Sequence, residues 1–218
     1  MNLRYHCCLF DFDGTVADTG DGIRRCVAYS LEKMGKPSLD EATLSRFIGP
    51  PLHDSYMEYC GMSDDEAETA IMRYRERYVD IGLYESKMYP GIVSLLKMLH
   101  EGGAYVGIAS AKPQFMLERL SAYYEIDRWL DIIVGVGLDR HSADKRDLIL
   151  RAMPKDMDTG KACMVGDRRF DIEAACALGL GAIGANYGYA LPDELVRSGA
   201  DIVVDSVEEL TRYLLIEA

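Results

Sequence analysis

The stretch CLFDFDGTVAD, residues 8–18, joins a short apolar run to a group of carboxylates. Residues 8–10 are typical of a buried strand, and two acids, Asp11 and Asp13, follow directly after them. Gly14 permits a tight turn in which backbone N–H groups can face an anion. The stretch therefore predicts that a core strand carries two acids and an anion-binding loop to one end of a sheet.

Apolar runs recur in the second half of the chain and alternate with segments of helical periodicity. Runs that are apolar on both faces are typical of buried parallel strands, and helical connections between them give a doubly wound sheet. The predicted strands are residues 5–10, AYVGIA 104–109, DIIVGV 131–136, ACMVG 162–166, LGAIGA 180–185 and DIVV 201–204. We therefore predict an α/β fold with a Rossmann-like, doubly wound parallel sheet.

Residues 18–84 interrupt this alternation, because they contain several amphipathic patterns and no convincing strand. The longest apolar stripe at helical spacing consists of Ala67, Ile71, Tyr74, Tyr78 and Ile81. We predict that residues 18–84 form an all-helical domain, inserted into an α/β core made of residues 1–17 and 85–218.

The formal net charge of -12 at pH 7 argues against a nucleic acid or an anionic membrane as partner, since both bind basic surfaces. The first apolar stretch ends at Asp11, which is too short for a signal peptide, and no run approaches the roughly 18 apolar residues of a membrane span. The six cysteines contain no C-x-x-C pair and are typical of reduced core residues. We expect a cytoplasmic protein that is a monomer or a weak homodimer.

Polar residues follow the predicted strands at the edge where open α/β sheets bind ligands. These residues are Asp11, Asp13, Ser110, Asp167 and Asp171, with Lys145 at the start of a predicted helix. Clustered carboxylates repel one another unless a hard cation joins them, and Mg2+ prefers oxygen ligands from carboxylates, water and phosphate. The sequence therefore predicts a site for magnesium and phosphate, in which Asp11 is placed to attack phosphorus as a carboxylate nucleophile.

Four short motifs resemble, in chain order, those of the haloacid dehalogenase-like hydrolases. They are DFDGT 11–15, SAKP 110–113, Lys145 and GDRRFD 166–171. The helical insertion resembles the cap of that family. Three further segments resemble its phosphoglycolate phosphatase and 5'-nucleotidase-like branch, namely FIGPPL 47–52, YPGI 89–92 and VGLDRHSADKRDLI 136–149. The resemblance covers essentially the whole chain.

The resemblance implies a role for each motif residue. Asp11 would form an aspartyl-phosphate, while Asp13 would protonate the leaving oxygen and then activate water. Mg2+ would be ligated by Asp11, Asp167 and the backbone carbonyl of Asp13, with Asp171 supporting the metal. The phosphoryl group would be held by Ser110, Ala111, Lys145 and the loop residues Phe12, Gly14 and Thr15.

Asp13 favours a phosphatase over a haloalkanoate dehalogenase, because ester cleavage benefits from protonation of the leaving alkoxide. The expected substrate is a small phosphorylated metabolite. We assign its recognition to Arg46, Gly49 and Pro50, although Arg46 is equally compatible with a surface salt bridge. Two alternatives stay open, a phosphosugar mutase on the same fold and a non-catalytic phosphate-binding regulatory protein.

Overall fold

The computed structural model describes residues 2–137 and 144–216, so the middle of the segment VGLDRHSADKRDLI lies outside the described residues. Its strands are β1 (Asn2–Leu3), β2 (Cys7–Phe10), β3 (Ala17–Asp18), β4 (Lys87–Met88), β5 (Tyr105–Pro113), β6 (Ile132–Val136), β7 (Ala162–Gly166), β8 (Gly181–Ala185), β9 (Ile202–Val204) and β10 (Leu215–Ile216). Six of them form one parallel sheet in the order β6-β5-β2-β7-β8-β9. The predicted parallel sheet is therefore confirmed.

Helices connect these strands. Those of the described residues are α1 (Gly20–Lys33), α2 (Glu41–Ser45), α3 (Leu52–Cys60), α4 (Asp64–Tyr78), α5 (Ile92–Glu101), α6 (Gln114–Tyr123), α7 (Lys145–Ala152), α8 (Arg169–Leu178), α9 (Glu194–Arg197) and α10 (Val207–Leu214). Short 3-10 turns cover Gly82–Tyr84, Asp127–Trp129 and Thr159–Lys161. None of the helices described is long and apolar enough to cross a membrane.

The strand β2 shows why the sheet is covered on both faces. Successive side chains of a strand point to opposite faces, and all four residues of β2 are buried. Cys7 and Leu9 pack in one apolar cluster with residues of α7 and α8. Cys8 and Phe10 pack in a second cluster with residues of α5 and α6. Helices thus cover the sheet on both sides, as a doubly wound fold requires.

The helical insertion leaves and rejoins the sheet domain at one place. Strands β3 and β4 pair antiparallel, with Ala17 opposite Met88 and Asp18 opposite Lys87. Helices α1 to α4 lie between these two strands in the chain. The pairing brings the two ends of the insertion together near the proposed boundaries. The division into a core of residues 1–17 and 85–218 and a cap of residues 18–84 stays a prediction.

Two elements differ from their predicted bounds. The helix α4 ends at Tyr78 instead of continuing through Ile81, which is 54% exposed. The chain turns there because Gly82 must lie against α1, where a Cβ atom would come within 2.4 Å of Cys26 Sγ. Strand β5 extends past Ala109 to Pro113, with a shift in its register against β6.

Removal of one central side chain tests this packing. Leu9 is fully buried in the middle strand, so Leu9→Ala leaves a cavity and lowers the free energy of unfolding by about 2–5 kcal/mol. Denaturant unfolding followed by circular dichroism measures the change. The matched control is Leu191→Ala, since Leu191 is 54% exposed and its loss costs less than about 0.5 kcal/mol. Equal effects of the two substitutions would contradict the central position of β2.

Candidate active site

Asp11 lies at the carboxyl end of the central strand β2. Its backbone N–H donates to Val165 O at 2.9 Å, which continues the pairing with β7 for one residue beyond the strand. The Asp11 side chain is 13% exposed. Because β5 and β7 flank β2 in parallel, their ends bring Ser110 and Asp167 to the same edge of the sheet. The sheet therefore assembles the predicted residues in one place.

Three carboxylates converge at this edge. Oxygens of Asp11, Asp167 and Asp171 all lie within 4.8 Å of one another. Asp167 follows β7, and its Oδ2 accepts the N–H of Tyr189 at 2.8 Å. Asp171 lies in the first turn of α8, where its Oδ2 accepts the N–H of Arg168 at 3.1 Å. The backbone thus fixes one oxygen of each acid, and the Thr15 hydroxyl donates to the other oxygen of Asp167 at 3.4 Å.

The electrostatics of the cluster favour a cation. Burial raises the pKa of Asp167 well above its usual value, and Asp11 and Asp171 raise it further. Burial likewise raises the pKa of Asp171 to about 6, although Lys145 opposes the change. The Oδ1 atoms of Asp11 and Asp171 are buried and accept no hydrogen bond of good geometry from the described residues. Such an all-oxygen donor set fits Mg2+.

Lys145 lies between two of these acids. Its Nζ is 3.0 Å from Asp11 Oδ1 and 2.7 Å from Asp171 Oδ1, and its side chain is 9% exposed. Burial lowers the pKa of Lys145, but the two carboxylates outweigh that effect and hold the pKa above its usual value. The ammonium therefore stays charged beside Asp11, where it can meet a phosphoryl oxygen.

Asp13 has a partner that the sequence reasoning missed. Both of its carboxylate oxygens accept hydrogen bonds from Lys112 Nζ, at 2.9 and 3.0 Å. Lys112 Nζ also donates to Tyr78 Oη at 2.6 Å. The sequence feature that could have identified Lys112 as a site residue is its position within SAKP, two residues after Ser110. Tyr78 gave no signal beyond helical spacing, because only the fold brings α4 over the sheet edge.

The loop after Asp11 is tightly constrained. Gly14 has φ of +78°, and a Cβ atom there would lie 2.0 Å from Asp167 Oδ2, so no side chain fits. The N–H of Gly14 donates to Ala17 O at 2.8 Å, and that of Thr15 donates to Phe12 O at 3.4 Å. These two predicted phosphate donors are therefore engaged within the loop. Among the described residues, none accepts a hydrogen bond from the N–H of Phe12.

A cavity of about 930 Å³ extends from the carboxylates to the helical insertion. Ser110 and Ala111 line it from the core, and the buried Ser110 hydroxyl accepts the N–H of Lys112 at 3.3 Å. Residues of the insertion also line it, among them Phe47, Tyr59, Tyr74, Arg75 and Tyr78. The cavity is thus bounded on one side by the predicted motif residues and on the other by aromatic rings.

The three predicted recognition residues lie in different places. Gly49 and Pro50 line the cavity, whereas Arg46 is not among the described residues that do so. The Arg46 guanidinium lies 4.8 Å from the ring centre of Tyr59, as a surface cation–π contact. The structure therefore does not bring Arg46 to the site.

Arg168 is a second residue that the sequence reasoning missed. It lies within the GDRRFD motif, and its Nη1 donates to Ile48 O at 2.6 Å. Its Nε donates to Glu194 Oε1 at 3.1 Å. Arg168 thereby ties the FIGPPL loop of the insertion to the core.

Comparison with known proteins agrees with this geometry. The family model for haloacid dehalogenase-like hydrolases matches residues 8–185. A 5'-nucleotidase of Pseudomonas aeruginosa is 36% identical over 88% of this chain and 88% of its own length. A plasmid-encoded phosphoglycolate phosphatase of Cupriavidus necator is 28% identical over 98% of this chain and 95% of its own.

Solved structures give the same result. The crystal structure of a predicted phosphatase from Clostridium acetobutylicum superimposes with a TM-score of 0.89 and 36% identity, covering 96% of this chain and 97% of that one. The chain therefore belongs to the haloacid dehalogenase-like hydrolases and is a phosphatase.

Proposed function

We propose that this phosphatase hydrolyses a small phosphomonoester through an aspartyl-phosphate on Asp11, with Mg2+ as cofactor. The observation that carries the proposal is the setting of Asp11. One of its oxygens lies 3.0 Å from Lys145 Nζ, and it shares the carboxylate cluster with Asp167 and Asp171. Asp13 lines the same cavity. A nucleophile, a proton carrier and a phosphate-binding cation therefore face one substrate space.

The reaction has two half-reactions in this proposal. A carboxylate oxygen of Asp11 attacks phosphorus, the bond from phosphorus to the ester oxygen breaks, and Asp13 gives its proton to that oxygen. Asp13 then takes a proton from water as the water oxygen attacks phosphorus, which releases inorganic phosphate and restores Asp11. Division into two steps lowers a barrier that is among the highest of biological hydrolyses.

Charge stabilisation comes from groups already held in place. Lys145 and the free N–H of Phe12 are positioned to meet phosphoryl oxygens, where preorganised donors stabilise developing charge. Ser110 adds a hydroxyl from the second half of β5. Mg2+ would be held by Asp11, Asp167 and the Asp13 carbonyl, with Asp171 in support. When bound, it neutralises charge on the phosphoryl group.

The cavity supports a substrate larger than phosphoglycolate. Its volume of about 930 Å³ is near the upper end of the range of ligand pockets. Aromatic residues such as Tyr59 and Tyr74 line its insertion side and make that side partly apolar, which suits a nucleoside. The 36% identical relative is named a 5'-nucleotidase. We therefore propose a nucleoside 5'-monophosphate as the preferred substrate.

The helical insertion would serve as a cap over this cavity. Closure excludes bulk water while the ester is cleaved, and reopening releases the alcohol. The boundaries of the cap, a cytoplasmic location and a monomer or weak homodimer are further parts of the proposal. No nucleic-acid partner is proposed, because the net charge is -12.

A substrate panel tests the proposed specificity. With Mg2+ present, we expect kcat/KM for a nucleoside 5'-monophosphate to exceed that for phosphoglycolate by at least about tenfold, because only the larger ester fills the cavity. Phosphate release measures both reactions. A preference for phosphoglycolate would contradict the assignment. Positional isomers without free phosphate would identify a mutase instead.

Substitution of the nucleophile tests the chemical mechanism. Asp11→Asn keeps the shape of the side chain but removes its nucleophilic oxygen, so turnover should fall by at least about a thousandfold. Trapped phosphoenzyme should vanish with it, as measured by acid quench with labelled substrate. Asp21→Asn is the control, because Asp21 is exposed and pairs with Arg24 on the surface. Near-native turnover by Asp11→Asn would exclude the aspartyl-phosphate route.

Metal binding can be measured without turnover. At Mg2+ concentrations 100-fold above Kd, the native protein should gain about 2.7 kcal/mol in free energy of unfolding. Asp167→Asn should lose most of that gain, because it removes one charged ligand oxygen from the cluster. Denaturant unfolding with Mg2+ and with a chelator measures the difference. An unchanged gain in the variant would place the metal elsewhere.

A further inference from the structure

Lys112 is a buried cation whose contacts reach both domains of the proposed division. It is 7% exposed, and its Nζ donates to both carboxylate oxygens of Asp13 and to Tyr78 Oη. An ammonium has three N–H donors, so these contacts use its full capacity. Its backbone N–H donates to Ser110 Oγ at 3.3 Å. The position of Lys112 is therefore fixed from several directions.

A buried ammonium is costly unless it is paired, so the arrangement needs a physical reason. Burial lowers the pKa of Lys112, but Asp13 and Tyr78 outweigh that effect and hold the pKa above its usual value. The side chain stays charged and stays bound to Asp13. Lys145 is the cation beside Asp11, whereas the donors of Lys112 are all directed to Asp13 and Tyr78. Lys112 therefore acts through Asp13 and not on the phosphoryl group.

Tyr78 supplies the part of this contact that comes from the insertion. It is the last residue of α4, is 2% exposed and stacks on Tyr74 with ring centres 4.9 Å apart. Burial raises the pKa of Tyr78 to about 12, so its hydroxyl is neutral near pH 7. The contact with Lys112 is thus a hydrogen bond to a rigidly packed ring. Movement of α4 away from the sheet would remove it.

We propose that Lys112, held by Tyr78, is a positioning residue that aims the carboxyl group of Asp13 at the leaving oxygen. The inference rests on the proposed function, in which Asp13 carries the proton. Both Asp13 oxygens are bound by one ammonium, so the orientation of the carboxyl group follows that of Lys112. Because Tyr78 belongs to the insertion, the correct orientation depends on a closed cap. Proton transfer is thereby linked to the exclusion of water.

The test compares two leaving groups. An alkyl phosphate such as a nucleoside 5'-monophosphate releases an alkoxide that needs a proton, whereas 4-nitrophenyl phosphate releases a stable anion that does not. The ratio kcat/KM reports the steps up to release of the leaving group, so it isolates the first half-reaction. The variants are Lys112→Met and Tyr78→Phe, with Lys97→Met as a control because Lys97 is 50% exposed.

Lys112→Met should lower kcat/KM for the alkyl ester by about 100-fold, the usual contribution of a positioned general acid. The loss for 4-nitrophenyl phosphate should be less than about tenfold. Tyr78→Phe should cause a smaller loss with the same preference, and Lys97→Met should match the native protein. Equal losses with both esters in either variant would overturn the inference, since a merely structural role does not distinguish leaving groups. If the native protein cleaves neither ester, the proposed function fails first.

Discussion

The concentration of negative charge at the end of a buried parallel strand is the constraint on which the site depends. Asp11, Asp167 and Asp171 lie within 4.8 Å of one another, in surroundings that raise the pKa of the last two. Such a cluster is unfavourable unless positive charge is brought to it. Lys145 supplies one such charge, and the carboxylate oxygens of the cluster are suited to a divalent cation as well.

The two buried lysines of the cavity, Lys112 and Lys145, contact different acids. Lys145 binds the acids that would hold the metal and the nucleophile, and Lys112 binds the acid that would move protons. Each lysine contacts at least one carboxylate, so neither charge is left unpaired in the interior. In the proposed mechanism, the first group would act on the phosphoryl oxygens and the second on the leaving oxygen.

The helical insertion also makes direct hydrogen bonds to residues of the core near the carboxylate cluster. Tyr78 reaches Lys112, and Ile48 O accepts a hydrogen bond from Arg168 of the core motif. Both contacts join the insertion directly to residues next to the catalytic carboxylates. A change in the position of the insertion therefore changes the surroundings of those carboxylates. In the proposed function, cap position and chemistry would be coupled through these contacts.

The sequence alone determined the parallel sheet, the helical insertion and the carboxylates that meet at the sheet edge. It could do so because apolar runs report burial and because parallel strand ends meet at one edge. The spacing of apolar residues did not determine where α4 ends, since the close approach of Gly82 to Cys26 is a contact between elements distant in sequence. The position of Arg46 could not be predicted for the same reason. Its guanidinium has the chemistry of a substrate ligand, but in the fold it lies over the ring of Tyr59.

Only the tertiary structure paired Lys112 with Asp13 and Tyr78, residues separated by 99 and 34 positions in the chain. A lysine is ordinarily a solvated surface residue, and the position of Lys112 within SAKP was the one signal that the sequence offered against this. Its role is decided by which side chains the fold packs around it. The motifs thus identify the groups proposed to react, whereas the packing of the insertion on the sheet decides what surrounds those groups.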